Sequence, residues 1–265
     1  MKQNRFVIEF FDMWNQGKAL ILVTGASRGL GQAISVEMCQ LNNPTLVLIS
    51  RDLDGLQKTS EMCLNVNNKC SVILKQLDLN SASKEDLRST VQDLGQDFDT
   101  LVVVHNAGSL GNQGTKVLDF DQASAMQDYF NLNIVSVMIL NSVVFKQFKD
   151  VKNKHVINIS SLAALQPFET WGFYCSGKAA RDSLFKVMAV EEPDTKVLNY
   201  APGPLDTQMI KDLLDDPGTH VNIRNAFEGM KKSDSMLKPE TSAKKLIRIL
   251  DEDKYQSGDH VDFFD

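Results

Sequence analysis

The stretch Leu20-Ile21-Leu22-Val23-Thr24-Gly25-Ala26-Ser27-Arg28-Gly29-Leu30-Gly31 decides how this chain is read. Four apolar residues form a strand, and the chain then turns at once into a helical pattern. Glycines at 25, 29 and 31 permit a sharp turn and let backbone N–H groups approach a pyrophosphate at the N-terminus of the helix. A glycine-rich run alone is a weak signal. Here it sits between a strand and a helix, the context that such a turn requires.

Downstream, apolar runs alternate with amphipathic stretches. Strands are expected at Leu46-Val47-Leu48-Ile49, Ser71-Val72-Ile73-Leu74, Leu101-Val102-Val103-Val104, Val156-Ile157-Asn158-Ile159 and Lys196-Val197-Leu198, with a last one in the tail 258–263. Helices are expected near 29–41, 52–65, 84–95, 121–148, 174–191 and 238–251. Nearly continuous apolar strands imply burial on both faces, and alternation with helices predicts an α/β fold. The expected architecture is a Rossmann-type doubly wound sheet, mainly parallel, with helices on both faces. Residues 1–18 read as a short amphipathic N-terminal extension and 19–265 as one domain. The segment 202–238, richer in Asp, Gly, Pro and Lys, is expected to form a mobile helical flap.

The 265 residues carry a net charge of -6, which argues against nucleic acid. Hydrophobic content of 43% and charged content of 23% are those of an ordinary soluble globule. Acidic residues interrupt the apolar N-terminal patch, so no membrane anchor or signal is expected. Cys39, Cys63, Cys70 and Cys175 show neither C-x-x-C nor metal-ligand spacing. A reduced, cytoplasmic setting is the expectation.

The chemistry is carried by Tyr174 and Lys178, four residues apart and therefore on one face of a helix. A lysine ammonium beneath a phenol favours the phenolate. Such a tyrosine can protonate a carbonyl oxygen while hydride reaches the carbon. Ser161, thirteen residues earlier, can hydrogen-bond that oxygen, with Ser160 as the adjacent competitor. After the second strand, Ser50-Arg51-Asp52 stands where an NAD enzyme would carry an acid to bind ribose. Arg51, joined by Arg28, can pair with a 2′-phosphate, which favours NADPH. Asp52 can orient Arg51, cap the next helix or face ribose.

These motifs, together with Gln76-Leu77-Asp78-Leu79, Asn106-Ala107-Gly108, Asn133, Ile159-Ser160-Ser161 and Pro202-Gly203-Pro204-Leu205-Asp206-Thr207, resemble the short-chain dehydrogenase/reductases from Ala19 to Asp265. The resemblance implies that Gly25, Ser27, Arg28, Gly29, Leu30 and Gly31 hold the cofactor phosphates. It implies that Asp78 and Leu79 border adenine, and that Asn106, Ala107 and Gly108 line the cofactor. Leu205, Asp206, Thr207, Gln208 and Met209 would meet the nicotinamide end, and Lys178 the nicotinamide ribose. Asn133 would either hold a proton-relaying water or satisfy an irregular helix. His105 replaces the usual asparagine and reads as a hydrogen-bonded strand-end residue.

Within the family the likeness runs to pterin-ketone reductases, on His105 to Gly111, Tyr200 to Thr207 and the tail Ser257 to Phe263. It implies NADPH-dependent reduction of a pterin side-chain ketone, the last reductive step of tetrahydrobiopterin synthesis, by a homodimer. The dimer would bury long helices that are apolar on more than one face, Phe130, Ile134, Met138 and Val144 among them. Asp262, sharing a strand face with His260, is the expected partner of the pterin's guanidine-like edge. Trp171 and Phe168 would wall the ring, Gly203 would leave room for backbone contact, and Cys175 reads as a packing residue. A reductase of another dicarbonyl or steroid, and a dinucleotide sensor without turnover, are the two alternatives.

Overall fold

In the computed structural model, described for residues 17–41 and 43–265, seven strands form one parallel sheet in the order β3-β2-β1-β4-β5-β6-β7. They are β1 (Ala19–Thr24), β2 (Thr45–Ser50), β3 (Ser71–Gln76), β4 (Thr100–His105), β5 (Asn153–Ile159), β6 (Thr195–Ala201) and β7 (His260–Asp262). Every pairing is parallel, so the expected class holds, with no antiparallel member among the described strands. The proposed N-terminal extension lies almost wholly outside the described residues.

Side chains alternate between the two faces of each strand, and β1 shows why both faces must be covered. Ala19, Ile21 and Val23 join a core with Leu30, Ile34 and Met38 of α1 (Gly29–Met38), Leu56 of α2 (Leu53–Val66) and Leu246 and Leu250 of α9 (Pro239–Glu252). Leu20 and Leu22 point the other way. They meet Leu87 of α3 (Lys84–Ser89) and Leu140, Val143 and Val144 of α5 (Ser136–Gln147). Phe185 of α6 (Gly172–Glu191) packs with Val137, Val156 and Val197 on the same side.

Two expected helices are corrected. The one drawn over 84–95 ends at Ser89, because the Ser89 and Thr90 hydroxyls bond back to the carbonyls of Asp86 and Leu87, both at 2.7 Å, and compete with the helical ladder. The one drawn over 121–148 is broken. α4 (Ala123–Phe130) and α5 are joined by a π-helical turn, Asn131–Val135. Its cause is Asn133, whose amide donates to the Tyr129 carbonyl one turn back, at 2.9 Å. Val144, placed on the surface face by sequence, is core, whereas Val135 and Met138 are exposed. The flap contains α7 (Gln208–Asp215) and α8 (Val221–Lys232), and backbone bonds from Leu237 N to the Pro204 carbonyl and from Asp206 N to the Leu237 carbonyl close its base.

The first turn is as tight as its glycines suggest. Gly25 and Gly29 have φ of +67° and +57°, the left-handed region that glycine occupies freely. A Cβ on Gly31 would lie 2.3 Å from the Gly25 carbonyl oxygen. Gly31→Ala is therefore expected to lower stability by about 1–3 kcal/mol, as overpacking does, and a drop in the urea midpoint would show it.

Candidate active site

Strand order reverses direction at β1 and β4, and a crevice opens beyond their carboxyl ends, where open parallel sheets bind ligands. The Thr24 hydroxyl accepts from the backbone N–H groups of Asn106 and Ala107, both at 3.0 Å, while the Asn106 amide donates to the Thr24 carbonyl at 2.9 Å. The two strand ends are thereby locked together. The cleft they begin has a volume of 1580 Å³.

The expected dinucleotide residues line it: Gly25, Ser27, Arg28, Gly29, Leu30, Arg51, Asp52, Asp78, Leu79, Asn106, Ala107 and Gly108, and Leu205 to Met209, with Thr207 packed beside Gly29. Gly31 lies beneath the turn, packed on Gly25 and Asn106. Helix α1 starts at Arg28 with no side-chain cap, so its first N–H groups are left for an anion. Arg28 and Arg51 are exposed at the rim. Of the roles open to Asp52, the structure displays the cap: its carboxylate accepts from Gly55 N at 3.0 Å, starting α2. Buried polar atoms of the lining, among them Ser160 Oγ, Asn80 Oδ1 and Trp171 Nε1, have no hydrogen-bond partner among the described residues. An uncapped helix start, exposed arginines and orphaned polar atoms suit a large, polar, phosphate-bearing ligand, so the residues fit a phosphorylated nicotinamide dinucleotide.

At the midpoint of the cleft, α6 presents Tyr174 and Lys178 beside the end of β5. Ser161 stands beside the Tyr174 phenol, where it favours the ionised form, and also caps a short 3₁₀ turn by accepting from Ala163 N at 3.2 Å. Lys178 is buried and donates to the Ile159 carbonyl at 2.6 Å, with its nitrogen 5.5 Å from the centre of the Tyr174 ring. The electrostatics differ from the sequence expectation. Burial raises the phenol, and what opposes it is the Ser161 hydroxyl and then the charge of Arg181. Lys178 is itself pulled well below its usual value, first by burial and then by Arg181. A lysine so desolvated is a weaker permanent cation than one in water.

Arg181 is the residue that sequence reasoning passed over, although it lies three positions after Lys178 on the same helical face. It is fully buried and donates to the carbonyls of His105 and Ala107 and, at 2.7 Å, to Asn158 Oδ1. Asn158 in turn donates to Asp182 at 3.0 Å, and Asp182 meets His260 Nδ1 at 2.6 Å. Asn133 uses its whole amide internally, accepting from Ser109 N at 3.0 Å and donating to Tyr129. Of its two readings, the satisfied helix irregularity is the one seen in these contacts.

Asp262 and Gly203 also line the cleft, on β7 and just after β6. The Asp262 carboxylate accepts from Phe264 N at 3.0 Å, which fixes its orientation. Trp171 also lines the cleft, but its ring packs on the protein's own aromatics, with Phe227 at 6.2 Å and Phe168 at 5.4 Å between ring centres.

The short-chain dehydrogenase family model matches residues 19–218. The chain belongs to the short-chain dehydrogenase family. It is accordingly an NADPH-dependent oxidoreductase. Among curated relatives it is similar to the sepiapterin reductases of Meriones unguiculatus, at 38% identity, and Xenopus tropicalis, at 37%; each alignment covers 94% of this chain and 97% of the relative. Among solved structures it resembles the KRED1-Pglu enzyme, with a TM-score of 0.79 and 24% identity over 92% of this chain and all of that one, a likeness of fold.

In this family member, His105 is buried, with Nε2 3.1 Å from Asn141 Oδ1 and its ring stacked on Phe185. Burial, helped by the Arg181 charge, pulls it down to about 3. It stays neutral in the folded chain, whereas the unfolded chain protonates it below about pH 6.5. Its contribution to stability is therefore intact above that pH and is lost as pH falls toward 3, by up to about 1.4 kcal/mol per pH unit. Unfolding curves between pH 7 and 4 should show a shallower acid slope for His105→Gln than for the wild type.

Proposed function

We propose that this oxidoreductase reduces side-chain ketones of pterins, sepiapterin and the 6-pyruvoyl-tetrahydropterin diketones, as the last reductive step of tetrahydrobiopterin synthesis. The observation that carries the reading is the placement of Asp262 on the same cleft as Tyr174, together with the relatives' shared name. NADPH, when bound, supplies the hydride that reaches the carbonyl carbon. The rest is done by this chain's own side chains.

Ser161 aligns the substrate oxygen and stabilises charge as it forms. Tyr174 gives its phenolic proton to that oxygen. Lys178, pinned to the Ile159 carbonyl, stands beneath the phenol and reaches the ribose side of the cleft. Asp262, held by Phe264 N, accepts the paired donors of the pterin's guanidine-like edge. Trp171, backed by Phe227, walls the ring, and Gly203 leaves the backbone open to it. Arg51 and Arg28 read the 2′-phosphate. Asn133 keeps the π turn and the Ser109 loop in place, so that its part in proton relay is indirect.

The deciding assay is NADPH consumption with sepiapterin, run beside NADH and beside a simple vicinal diketone. Rapid, NADPH-selective turnover of sepiapterin is expected. Tyr174→Phe should lower kcat by 10²-fold or more, in the range typical of lost acid catalysis, while NADPH affinity holds. Asp262→Ala should raise KM for sepiapterin and spare the diketone; equal losses on both substrates would remove the anchor and leave a general carbonyl reductase.

The protein works in this reading as a cytoplasmic homodimer. Ala123–Gln147 is long and apolar enough to cross a membrane, but one side of it is packed into the fold. The exposed remainder, Val135 and Met138, lies with Val187 and Val190 of α6 on helices that a second copy can cover. Sedimentation at micromolar protein should give twice the chain mass of 29.6 kDa, and Met138→Glu with Val190→Glu should return it to the monomer.

A further inference from the structure

Arg181 is among the largest fully buried side chains of the molecule, and its environment is unusual for a cation. All its acceptors are neutral: the carbonyls of His105 and Ala107 at the end of β4, and the Asn158 amide on β5. The nearest carboxylate on its own helix, Asp182, is engaged by His260 and Asn158 instead. Among the described residues the guanidinium enters no ion pair. Taking such a charge out of water is costly, and packing alone would be served as well by an apolar side chain of similar volume.

The groups around it are Tyr174, Lys178 and Asp182 on α6, Tyr129 on α4, and His105 on β4, with His260 on β7 reached through Asp182. Three of these can be anions, Asp182, Tyr129 and Tyr174; Asp182 is engaged by His260 and Asn158, and of the two phenols only Tyr174 has Ser161 beside it. We propose that Arg181 is a positioning residue of the reaction, holding the ends of β4 and β5 against α6 and keeping a fixed positive charge behind Tyr174. The proposal rests on Tyr174 being the proton donor. Burial draws the guanidinium down only to about 10, so it stays charged at neutral pH. Lys178, by contrast, is discouraged from carrying a proton by burial and by Arg181 itself. The arrangement divides two duties: the arginine supplies charge that does not titrate, and the lysine remains able to give up and regain a proton.

The test compares Arg181→Lys, which keeps the charge, with Arg181→Gln and Arg181→Met, which lose it; the glutamine retains a donor for the strand carbonyls should the methionine variant fold poorly. Reduction needs a protonated phenol, so activity falls as pH rises through the Tyr174 pKa. Loss of the cation should move that basic limb up by about one pH unit, and lower kcat at neutral pH about tenfold, with NADPH affinity kept. The lysine variant should keep the wild-type limb. The phenol is also read without substrate, as the ultraviolet titration of each protein minus its Tyr174→Phe partner, and should shift in the same direction. Slower variants whose limb and phenol titration stay at the wild-type position would overturn the proposal and leave Arg181 a packing residue. A lysine variant shifted as far as the glutamine one would do the same. Failure of the wild type to reduce any ketone would instead count against the proposed activity, since the substrate-free titration tests Arg181 separately.

Discussion

The rest of the site depends on the distance between the ends of β1 and β4. Here the chain leaves the sheet in opposite directions, and parallel strands alone would not fix how far the two loops part. Side-chain bonds from Thr24 and Asn106 do, by accepting and donating across the gap in both senses. Gly31 then lets the first helix settle against the same asparagine, because a Cβ there would strike both Asn106 and the Gly25 carbonyl. The cleft is thus the space left when two neighbouring strands are latched and the helix behind them is drawn in. The loops that line it inherit their positions from that latch.

A second set of buried polar groups carries this order to the strand that presents Asp262. Asn158, near the end of β5, accepts from Arg181 and donates to Asp182 and Asn199. Asp182 holds His260, and His260 begins β7, the strand that presents Asp262. The C-terminal tail would otherwise be a three-residue strand at a sheet edge, too short to be held by its ladder alone. Buried polar networks can hold one arrangement of the elements they join. This one joins α6, which carries Tyr174 and Lys178, to the segment that carries Asp262, so the two halves of the cleft are kept in register by one chain of bonds.

The helical elements illustrate where sequence pattern stops. α5 packs on the sheet through Leu140, Val143 and Val144, but the sequence pattern set Val144 on the outer face and could not show that Asn133 diverts the helix into a π turn, since this follows from a side-chain amide choosing the carbonyl one turn back. Likewise nothing in the run after Lys84 announces that two hydroxyls will end the helix at Ser89. These are local competitions between side chain and backbone for the same acceptors, decided by geometry of about a tenth of a nanometre.

By itself the sequence determined the parallel α/β sheet, because unbroken apolar strands between amphipathic helices can be buried in no simpler way. It also determined the glycine turn and the Ser161, Tyr174 and Lys178 set, because the chemistry of each is local: a turn needs its glycines adjacent, and an i, i+4 pair shares a helix face wherever the helix goes. Tertiary structure alone decided which charge stands behind the phenol. A solvated lysine would be the natural candidate, but packing α6 against the ends of β4 and β5 strips water from Lys178 and places Arg181 among neutral acceptors. Burial and the partners of a charge are properties of the folded neighbourhood, and residues from 105 to 260 meet there only once the sheet has closed around them.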